Sequence, residues 1–510
     1  MPDWSGGYVT DIAYTFGYQV ELNPLHARFA FLNAGLSPPS QGVHCELGFG
    51  HGLSVNIHAA ASDTVWYATD FNPAQAAFAQ EIAVASKARI HLCDQSFEEF
   101  CARPDLPEFD SIGLHGIWSW ISEGNRSIVV EFIRKKLKIG GVLYISYNSQ
   151  PGWAATVPLR DLFADYAEFI GGGGSGYLDR VESSIEFAEK VLSLNPLYAR
   201  MNPIILERIK HIKTQNKNYL AHEYFGGSWQ PFSFSQVARS LAPAKLTFAC
   251  SARLFDEIHF ANLEPQQQEF IRAIPHSYLQ QTVKDFCVNQ QFRRDYWVKG
   301  LRKLDKTEQM EMLRSQSFVL IEPISEILVK IKEKSELIAK RESIFESVLS
   351  DLHKYKVFTL RELEKSLSGK ANFRQILDVL VILCGMDCVV CSYSLDAIEK
   401  SNASCERIND YILSKAKSNS NINFLASPVT GGAINVNRLD QLFISSIRAG
   451  SDQISDWAQY AWEIMSLQGQ IIKNGKTLSS YEENLNEVAN CAQDFAKEKL
   501  PILKALRVVV

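Results

Sequence analysis

A glycine-rich turn after a short apolar run is the feature that most constrains how this chain can fold. Residues Val43 to Leu53 read Val-His-Cys-Glu-Leu-Gly-Phe-Gly-His-Gly-Leu, with glycine at the alternate positions Gly48, Gly50 and Gly52. Glycine lets the backbone turn sharply and approach a ligand more closely than a Cβ atom would permit. The pattern predicts a strand, a tight ligand-binding turn and a helix, in that order.

A second apolar run, Thr64 to Asp70, ends in an acid about twenty residues after the turn. Doubly wound folds hold a nucleoside with such a turn and an acid at the end of the next strand. The dinucleotide fingerprint spaces its glycines G-x-G-x-x-G, whereas here the third glycine comes one position early and Glu46 precedes the first. The order acid-x-Gly-x-Gly-x-Gly instead resembles the first motif of class I S-adenosylmethionine (SAM) methyltransferases. A tight turn in another α/β protein is the alternative.

Length and charge exclude several broad classes of function. A chain of 510 residues predicts about two to four domains with ample core. Its net charge of -5 argues against a general binder of nucleic acid or anionic membranes, but does not exclude a local basic groove. Residues Met1–Gly7 lack the basic and apolar parts of a secretory signal, and no apolar run reaches membrane-spanning length. We therefore expect a cytoplasmic bacterial enzyme that neither inserts into membranes nor binds nucleic acid.

Ten cysteines are scattered along the chain, and two of them have metal-like spacing. Cys388-Val-Val-Cys391 resembles a metal-binding pair, with Cys384 close by. No second pair and no nearby histidine completes a four-ligand zinc site. All three lie in an apolar, β-branched run where cysteine behaves as a small hydrophobe. We expect reduced thiols packed in a core, and no metal.

From residue 43 to about 150, short apolar runs alternate with helical patterns, which predicts βαβ units and a parallel, Rossmann-like α/β sheet. We expect strands at Val43–Leu47, Thr64–Thr69, Arg89–Leu92, Asp110–Leu114 and Val142–Tyr147. Two later runs, Lys245–Ser251 and Ser317–Ile321, are expected to complete a doubly wound, seven-stranded sheet.

Ligands of such sheets bind beyond the carboxyl ends of the strands, where this sequence places polar residues. They are Glu46, Asp70, Asp94, His115 and Tyr147. We expect Asp70 to accept hydrogen bonds from a ribose diol and Asp94 to face an adenine amino group. The alternatives are that each aspartate instead caps the helix that follows it.

Aromatic side chains surround these predicted strand ends. Phe71 is expected to stack on the adenine or its sugar edge. Trp118, Trp120, Tyr147 and Trp153 are expected to form the wall of a substrate mouth, although Trp120 is equally a core residue. Near the N-terminus, Tyr14 is the residue we expect to cover the cofactor as part of a lid; packing is its alternative role.

Three later runs make the resemblance more selective. They are His115-Gly-Ile-Trp-Ser-Trp120, Ser146-Tyr-Asn-Ser-Gln-Pro-Gly-Trp153 and Phe292-Arg-Arg-Asp-Tyr-Trp297, with Tyr219-Leu-Ala-His-Glu-Tyr-Phe225 and Trp229-Gln-Pro-Phe232 between them. With the first motif, they are similar to bacterial class I methyltransferases that carry a methyltransferase regulatory domain, among them the rickettsial outer-membrane-protein lysine methyltransferases. The resemblance covers about residues 10 to 325, and Phe49 departs from it where cysteine is common. It implies SAM as the cofactor, protein lysines as possible acceptors, and a homodimer.

The domain boundaries that we expect follow from this resemblance and from the composition. Residues 1–170 form the SAM-binding core, and residues 171–325 form a regulatory or middle domain with a helical insertion and the last strands of the sheet. The run Gly171-Gly-Gly-Gly-Ser-Gly176 marks a hinge or loop between them. Residues 326–398 resemble a winged-helix module, for which the absence of a concentrated basic face favours protein contact. Residues 399–510 form a helical C-terminal domain.

The chemistry that the resemblance implies requires a neutral acceptor nitrogen. The reference pKa of lysine is about 10.4, so a dry aromatic mouth and a nearby sulfonium charge would both favour deprotonation. Trp118, Tyr147 and Trp153 could hold the ammonium group through cation–π contacts. Tyr147, His115 or His222 could orient the amine or relay its proton through water, although none has the signature of a dedicated general base. His222 and Glu223 could reach the substrate, but the sequence favours a satisfied buried pair for these two residues.

Two other functions stay open. The same site could methylate a sugar or another small molecule, at oxygen or nitrogen, during surface-polysaccharide or natural-product synthesis. Hydroxyl transfer needs a base or a metal near the nucleophile, and no clear metal cluster is visible in the sequence. The chain could also be a SAM-binding regulator with a silent catalytic domain, although its acids at the strand ends are intact.

Overall fold

The computed structural model describes residues 16–170, 176–225, 228–334, 342–353, 355–467, 469, 472–473, 476–478 and 480–509. The predicted lid residue Tyr14 and residues 171–175 of the predicted hinge lie outside these ranges. Among the described residues, no helix is both long enough and apolar enough to cross a membrane.

A seven-stranded sheet forms the centre of the N-terminal half. Its strands are β1 Val43–Leu47, β2 Val65–Asp70, β3 Ile90–Asp94, β4 Phe109–Leu114, β5 Leu137–Asn148, β6 Leu246–Ser251 and β7 Phe292–Lys299. They lie in the order β3-β2-β1-β4-β5-β7-β6, and β7 is antiparallel to both of its neighbours. The predicted Rossmann-like sheet is confirmed. Its strand order reverses between β1 and β4, so a ligand is expected at the carboxyl ends of these two strands.

Helices pack on both faces of this sheet. They are α1 Pro24–Asn33, α2 Leu53–Ala60, α3 Pro73–Ser86, α4 Phe97–Cys101 and α5 Glu123–Lys136. Tyr144 of β5 packs in the cluster that contains α1, whereas its neighbour Leu143 packs with α5, as alternation along a strand requires. Helix α3 begins at a proline, whose missing N–H costs nothing in a first turn, and Asn72 caps it by accepting from the Ala74 N–H at 3.0 Å.

The identity of the seventh strand differs from our prediction. Ser317–Ile321 was expected to complete the large sheet, but Ser317–Leu320 belongs to a separate three-stranded sheet. The position between β5 and β6 is taken by Phe292–Lys299, whose charged residues hide its strand character in the sequence. The expected strand at Lys245–Ser251 is confirmed as β6.

A helical insertion separates β5 from β6, as predicted. It contains α6 Val157–Phe169, α7 Tyr177–Ser193, α8 Leu197–Met201, α9 Ile204–Lys213 and α10 Lys217–Phe225. These helices have their own hydrophobic cluster, which Trp153 and Trp229 join from the flanking loops. The insertion therefore packs against the carboxyl end of β5. Helix α11 Phe234–Leu241 follows and packs on the sheet.

Helices α12 His259–Asn262, α13 Pro265–Ala273 and α14 Ser277–Val288 connect β6 to β7. After α15 Lys306–Arg314, the chain forms β8 Ser317–Leu320, α16 Ile324–Lys334, α17 Glu342–Leu352, β9 Phe358–Thr359, α18 Leu360–Ser366, α19 Phe373–Gly385 and β10 Val389–Ser392. The antiparallel sheet β10-β8-β9 begins before residue 326, and the winged-helix assignment of this module stays a prediction. Cys384, Cys388 and Cys391 are buried in its hydrophobic core, as expected.

The C-terminal part is mainly helical, as predicted. It contains α20 Leu395–Ala416, β11 Phe424–Ser427, β12 Gly432–Asn435, α21 Arg438–Arg448, α22 Ile454–Ser466, β13 Ile472–Lys473, β14 Lys476–Thr477, α23 Tyr481–Asp494 and α24 Leu500–Ala505. Short 3-10 turns lie at Val20–Leu22, Ala242–Ala244 and Leu254–Glu257, and a π turn at Phe495–Lys499. The Arg407 Nε donates to the Ser86 carbonyl at 2.9 Å, which joins α20 to the end of α3.

Candidate functional site

The glycine-rich turn after β1 has the conformation that the sequence predicts. Gly48, Gly50 and Gly52 all have positive φ, at 77°, 58° and 68°. A Cβ on Gly48 or Gly52 would meet Ile117 Cδ1 at 2.4 Å or Ala79 Cβ at 2.5 Å, so packing alone requires glycine there. A Cβ on Gly50 would meet no described atom within 4 Å. Among the described residues, Gly50 therefore borders open space at the strand ends.

Asp70, the last residue of β2, is tied to this turn. Its Oδ2 accepts from the Gly50 N–H at 2.8 Å, and its Oδ1 accepts from the Asn72 N–H at 3.0 Å. Burial raises the pKa of this carboxyl to about 6, although both hydrogen bonds oppose the rise. Asn72, not Asp70, caps α3, so the capping alternative for Asp70 is wrong.

Glu46 near the end of β1 carries a buried polar atom that the fold leaves unsatisfied. Its side chain is 3% exposed, and Oε2 has no hydrogen-bond partner among the residues that the structure describes. Burial, together with the negative charge of Asp70, raises the pKa of Glu46 to about 8. A buried acceptor without a donor costs free energy, and a cationic or N–H-bearing ligand would remove that cost.

Asp94 ends β3 directly opposite Asp70 in the parallel register. It is exposed, and the helix that follows is capped by Ser96, not by Asp94. Phe71 follows β2 and is half-buried. The structure thus brings both predicted nucleoside contacts to the carboxyl edge beside Asp70, and their roles stay predictions.

His115 lies at the carboxyl end of β4. Its Nδ1 and the Tyr144 hydroxyl are hydrogen-bonded at 2.8 Å, with the two rings stacked 5.9 Å apart. Burial lowers the pKa of His115 to about 4, so the imidazole is neutral at pH 7. The next N–H, from Gly116, donates to Ser146 Oγ at 2.7 Å, which joins the ends of β4 and β5.

Two of the predicted substrate-contacting residues are fully buried. Tyr147 exposes 0% of its surface, and its hydroxyl donates to Asp295 Oδ2 at 2.8 Å. Trp118 is also 0% exposed and packs in the cluster that contains α5. In this structure neither side chain contributes surface to a substrate mouth. Their catalytic assignments stay predictions.

Trp153 lies among aromatic and cationic side chains of the insertion. Its ring contacts Trp229 edge-on, with centroids 4.9 Å apart. The Arg208 guanidinium lies 5.1 Å from the centre of the Trp153 ring, and the Arg160 guanidinium lies 4.4 Å from that of Trp229. The cation–π position that we expected for a substrate ammonium on Trp153 is therefore already occupied by an arginine of the chain itself.

Asn148 and Glu223 form a polar pair whose proximity the sequence could not reveal. Asn148, the last residue of β5, is 4% exposed, and its Nδ2 makes no hydrogen bond of ordinary geometry within the described ranges. Burial raises the pKa of Glu223 to about 7, while Arg160, Arg208 and the nearby Asn148 side chain oppose the rise. A titratable carboxyl thus lies at the end of β5, next to the strand that carries His115. The density of polar and aromatic groups around residue 223 indicated a segment that packs on the catalytic domain, but not its proximity to Asn148.

Metal-dependent chemistry would need clustered ligands. In the part of the chain that the structure describes, no three histidine, cysteine, aspartate or glutamate side chains are grouped so that they could hold a metal ion.

Comparison with known proteins identifies a matching family and several similar proteins. Residues 216–299 match the family described as a predicted methyltransferase regulatory domain. The whole chain is similar to the uncharacterized protein sll1526 of Synechocystis sp., with 36% identity over 510 residues and 99% of each chain covered. A stretch of 202 residues is 24% identical to the uncharacterized protein RP789 of Rickettsia prowazekii and covers 38% of this chain and 35% of that protein.

Among solved structures, the fold is similar to that of PKMT2 from Rickettsia typhi in complex with AdoHcy. The TM-score is 0.70 at 17% sequence identity, with 97% of this chain and 99% of that chain covered. A structure of the same protein that is described without AdoHcy gives a TM-score of 0.69 at 18% identity, with 96% and 99% covered. At this level of identity, the likeness establishes a shared fold along nearly the whole chain.

Proposed function

Because this chain belongs to the same family as the Synechocystis protein sll1526 and has the fold of class I methyltransferases, we propose that it is a SAM-dependent methyltransferase that acts on protein lysine side chains. The observation that carries the cofactor assignment is the pair of features at the end of β1. The unsatisfied Glu46 oxygen and the open space beside Gly50 fit a nucleoside that bears an amino group.

The residues that would hold the cofactor follow from their positions. Glu46 would accept from the amino group of SAM, and Asp70 would accept from the ribose hydroxyls with the lone pairs that remain on its two oxygens. Asp94 would accept from the adenine amino group, with Phe71 against the base. When bound, SAM supplies a methyl group on a sulfonium, which a neutral lone pair attacks in line.

The acceptor side would lie over the ends of β4 and β5. His115 is neutral and held by Tyr144, so it would position the acceptor and not carry a charge into the site. Glu223 is the group best placed to take the ammonium proton, because its pKa of about 7 matches the pH at which it would work. Asn148 would orient the acceptor nitrogen. Tyr147, whose hydroxyl donates to Asp295, would hold the neighbouring backbone of β5 in place. The contact proposed for Trp153 would require movement of the insertion, and that proposed for Trp118 would require the indole to leave the cluster that contains α5.

Lysine as the acceptor rests on the resemblance to the rickettsial lysine methyltransferases, as does the homodimer, whereas the cytoplasmic location is proposed from the sequence pattern alone. A protein acceptor suits an enzyme whose helical insertion, next to the candidate acceptor edge, exposes large apolar side chains such as Leu197 and Met201. Methylation of a sugar or a small molecule is the alternative outcome of the same test.

The test uses the full-length protein, SAM labelled in its methyl group, and two acceptor preparations, a bacterial outer-membrane protein extract and polysaccharide precursors. We expect label in protein that survives acid hydrolysis as methyl-lysine, and its loss in the Asp70→Ala variant. Label in the polysaccharide fraction would mean that the acceptor is a sugar or another small molecule and not a protein lysine. SAM binding by calorimetry without any transfer would instead indicate a regulator with a silent catalytic domain.

A further inference from the structure

A polar cavity of about 220 Å³ lies where β6 ends and β7 begins. Its walls come from the end of β6, the start of β7, helix α14 and the loop after β6, and every lining residue falls between positions 251 and 295. The cavity is therefore contained within the segment that matches the regulatory-domain family. One water needs about 10–15 Å³ of such space, so this volume accommodates a small organic molecule.

The lining of the cavity includes a carboxylate, Asp285, with a buried oxygen that lacks a donor in the described part of the chain. Arg293 donates to both carboxylate oxygens of Asp295, from Nε to Oδ2 at 3.0 Å and from Nη2 to Oδ1 at 3.0 Å. Its Nη1 donates to Asp285 Oδ1. Asp285 is 3% exposed, and its Oδ2 has no hydrogen-bond partner among the side chains and backbone described. Burial raises the pKa of Asp285 to about 6, with Arg293 opposing and the negative Asp295 contributing, so it is largely ionised at pH 7.

Two cations that retain donors also line the cavity, and one of them, Lys284, precedes Asp285 on α14. Lys284 is 8% exposed and donates one hydrogen to the Asp256 carbonyl at 2.6 Å; an ammonium group has three. The Arg253 side chain is 49% exposed and lies 3.8 Å from Asp256 Oδ1, longer than a hydrogen bond. Among the residues described, Arg253 thus forms only a long ion pair with Asp256, whereas the other two lining arginines donate hydrogen bonds to carboxylates: Arg293 as above, and Arg294 to Glu21.

We propose that this cavity binds a small zwitterion of the amino-acid class. Its ammonium would donate to Asp285 Oδ2, and its carboxylate would accept from Lys284 and Arg253. The fit is one of charge: a lining that holds both a buried acceptor and cationic donors recognises a molecule that carries both signs. A ligand with only one charge would leave either the acceptor or the donors unsatisfied. The site is separate from the glycine-rich turn and does not depend on which acceptor the enzyme methylates.

The position of the cavity relates it to the candidate active site. Asp295, which lines the cavity, also accepts the Tyr147 hydroxyl of β5. The binding site and the proposed acceptor edge therefore share a buried carboxylate.

The test is a calorimetric titration of the full-length protein with each of the twenty protein amino acids in turn, at neutral pH. We expect at least one to bind. Its decarboxylated amine and its deaminated acid should each bind at least tenfold more weakly, because each lacks one of the two charges. Absence of binding by all twenty, or equal binding by either single-charge analogue, would overturn the proposal.

Two variants locate the binding in this cavity. Asp285→Asn keeps an oxygen for Arg293 but removes the charge, and Arg253→Gln changes a half-exposed side chain that the core does not need. We expect each to weaken the bound amino acid at least tenfold. Arg272→Gln, on exposed helix α13, is the matched control and should bind as the wild type does. Binding that is unchanged in Arg253→Gln and Asp285→Asn would place the ligand elsewhere and overturn the assignment.

Discussion

The backbone N–H of Gly50 donates to Asp70 Oδ2 across 2.8 Å, so the glycine-rich turn after β1 is fastened to the end of β2. A carboxylate offers about four lone-pair positions, and Asp70 uses two of them for the backbone of Gly50 and Asn72. The same side chain can therefore shape the turn and still accept hydrogen bonds from a ligand.

Gly50→Ala tests whether the open space beside this turn is the cofactor site. The new Cβ would occupy that space and not clash with the protein, so SAM affinity should fall at least about tenfold. The left-handed backbone should cost about 1–2 kcal/mol of stability. Titration calorimetry measures the first effect and thermal unfolding the second.

Gly369→Ala is the matched control for this variant. Gly369 also has positive φ, at 81°, and a Cβ there meets no described atom within 4 Å. It should show a similar loss of stability with unchanged SAM affinity. Equal SAM affinity in Gly50→Ala and the wild type would mean that the cofactor does not approach this turn.

The pH dependence of cofactor binding should report on Glu46. Burial raises the pKa of this carboxyl to about 8 in the free protein, so at pH 7 it holds its proton. Contact with an ammonium group requires the ionised form and lowers that pKa. SAM affinity should therefore increase as the pH rises from about 6 to 8, with release of a proton on binding, by up to about tenfold per pH unit.

Glu46→Gln isolates this contribution, since glutamine keeps an acceptor oxygen but does not titrate. The variant should bind SAM more weakly above pH 8 and lose the part of the pH dependence that Glu46 contributes. Calorimetry in two buffers of different ionisation enthalpy counts the protons released. The same proton count in variant and wild type would rule out Glu46 as the titrating group.

Sequence reasoning succeeded where local pattern determines structure. The first five strands follow from apolar runs separated by helical periods, and the ends of parallel strands meet at one edge, so Glu46, Asp70 and Asp94 could be placed together in advance. It failed for β7, because Arg293, Arg294 and Asp295 interrupt the apolar pattern. In the fold Arg293 pairs with Asp285 and with Asp295 of its own strand, and Arg294 pairs with Glu21, which is 273 positions away in the chain.

The direction in which side chains point was the second feature that the sequence could not predict. The aromatic run after β4 correctly indicated a crowded strand end, but it could not show that Trp118 faces the core. Likewise, the Pro-Gly turn before Trp153 gave no sign that Arg208 from a distant helix would lie on the indole. Strand partners are equally hidden, since Ser317–Leu320 has the composition of a central strand and pairs in another sheet.

Arg293 should be essential for the stability of the edge between β5 and β7. Its guanidinium is buried between Asp285 and Asp295, and Arg293→Met would remove the cation that pairs with both buried carboxylates. Breaking a buried ion pair costs about 3–5 kcal/mol. We expect the free energy of opening, measured by hydrogen exchange of the amides in β5 and β7, to fall by that amount.

Arg134→Met is the control, because Arg134 pairs with Glu131 on the surface of α5 and should leave the same amides unchanged. Wild-type protection in Arg293→Met would show that the two carboxyls tolerate burial by taking up protons.

The last prediction concerns the proton of the acceptor. Glu223 faces Arg160 of α6, Arg208 of α9 and Asn148 of β5, and burial outweighs these groups to raise its pKa to about 7. If this carboxylate takes the ammonium proton, transfer should accelerate as the pH rises through 7, because the base form then accumulates. Glu223→Gln should lose that limb of the kcat/KM profile and slow transfer by about 10²–10⁴-fold, the usual contribution of a positioned base. SAM affinity should stay unchanged, because Glu223 lies on the acceptor side.

The control is Glu207→Gln, which changes an exposed glutamate of α9 and should behave as the wild type does. If the Glu223→Gln enzyme keeps the wild-type rate and the wild-type pH profile, Glu223 does not take the proton.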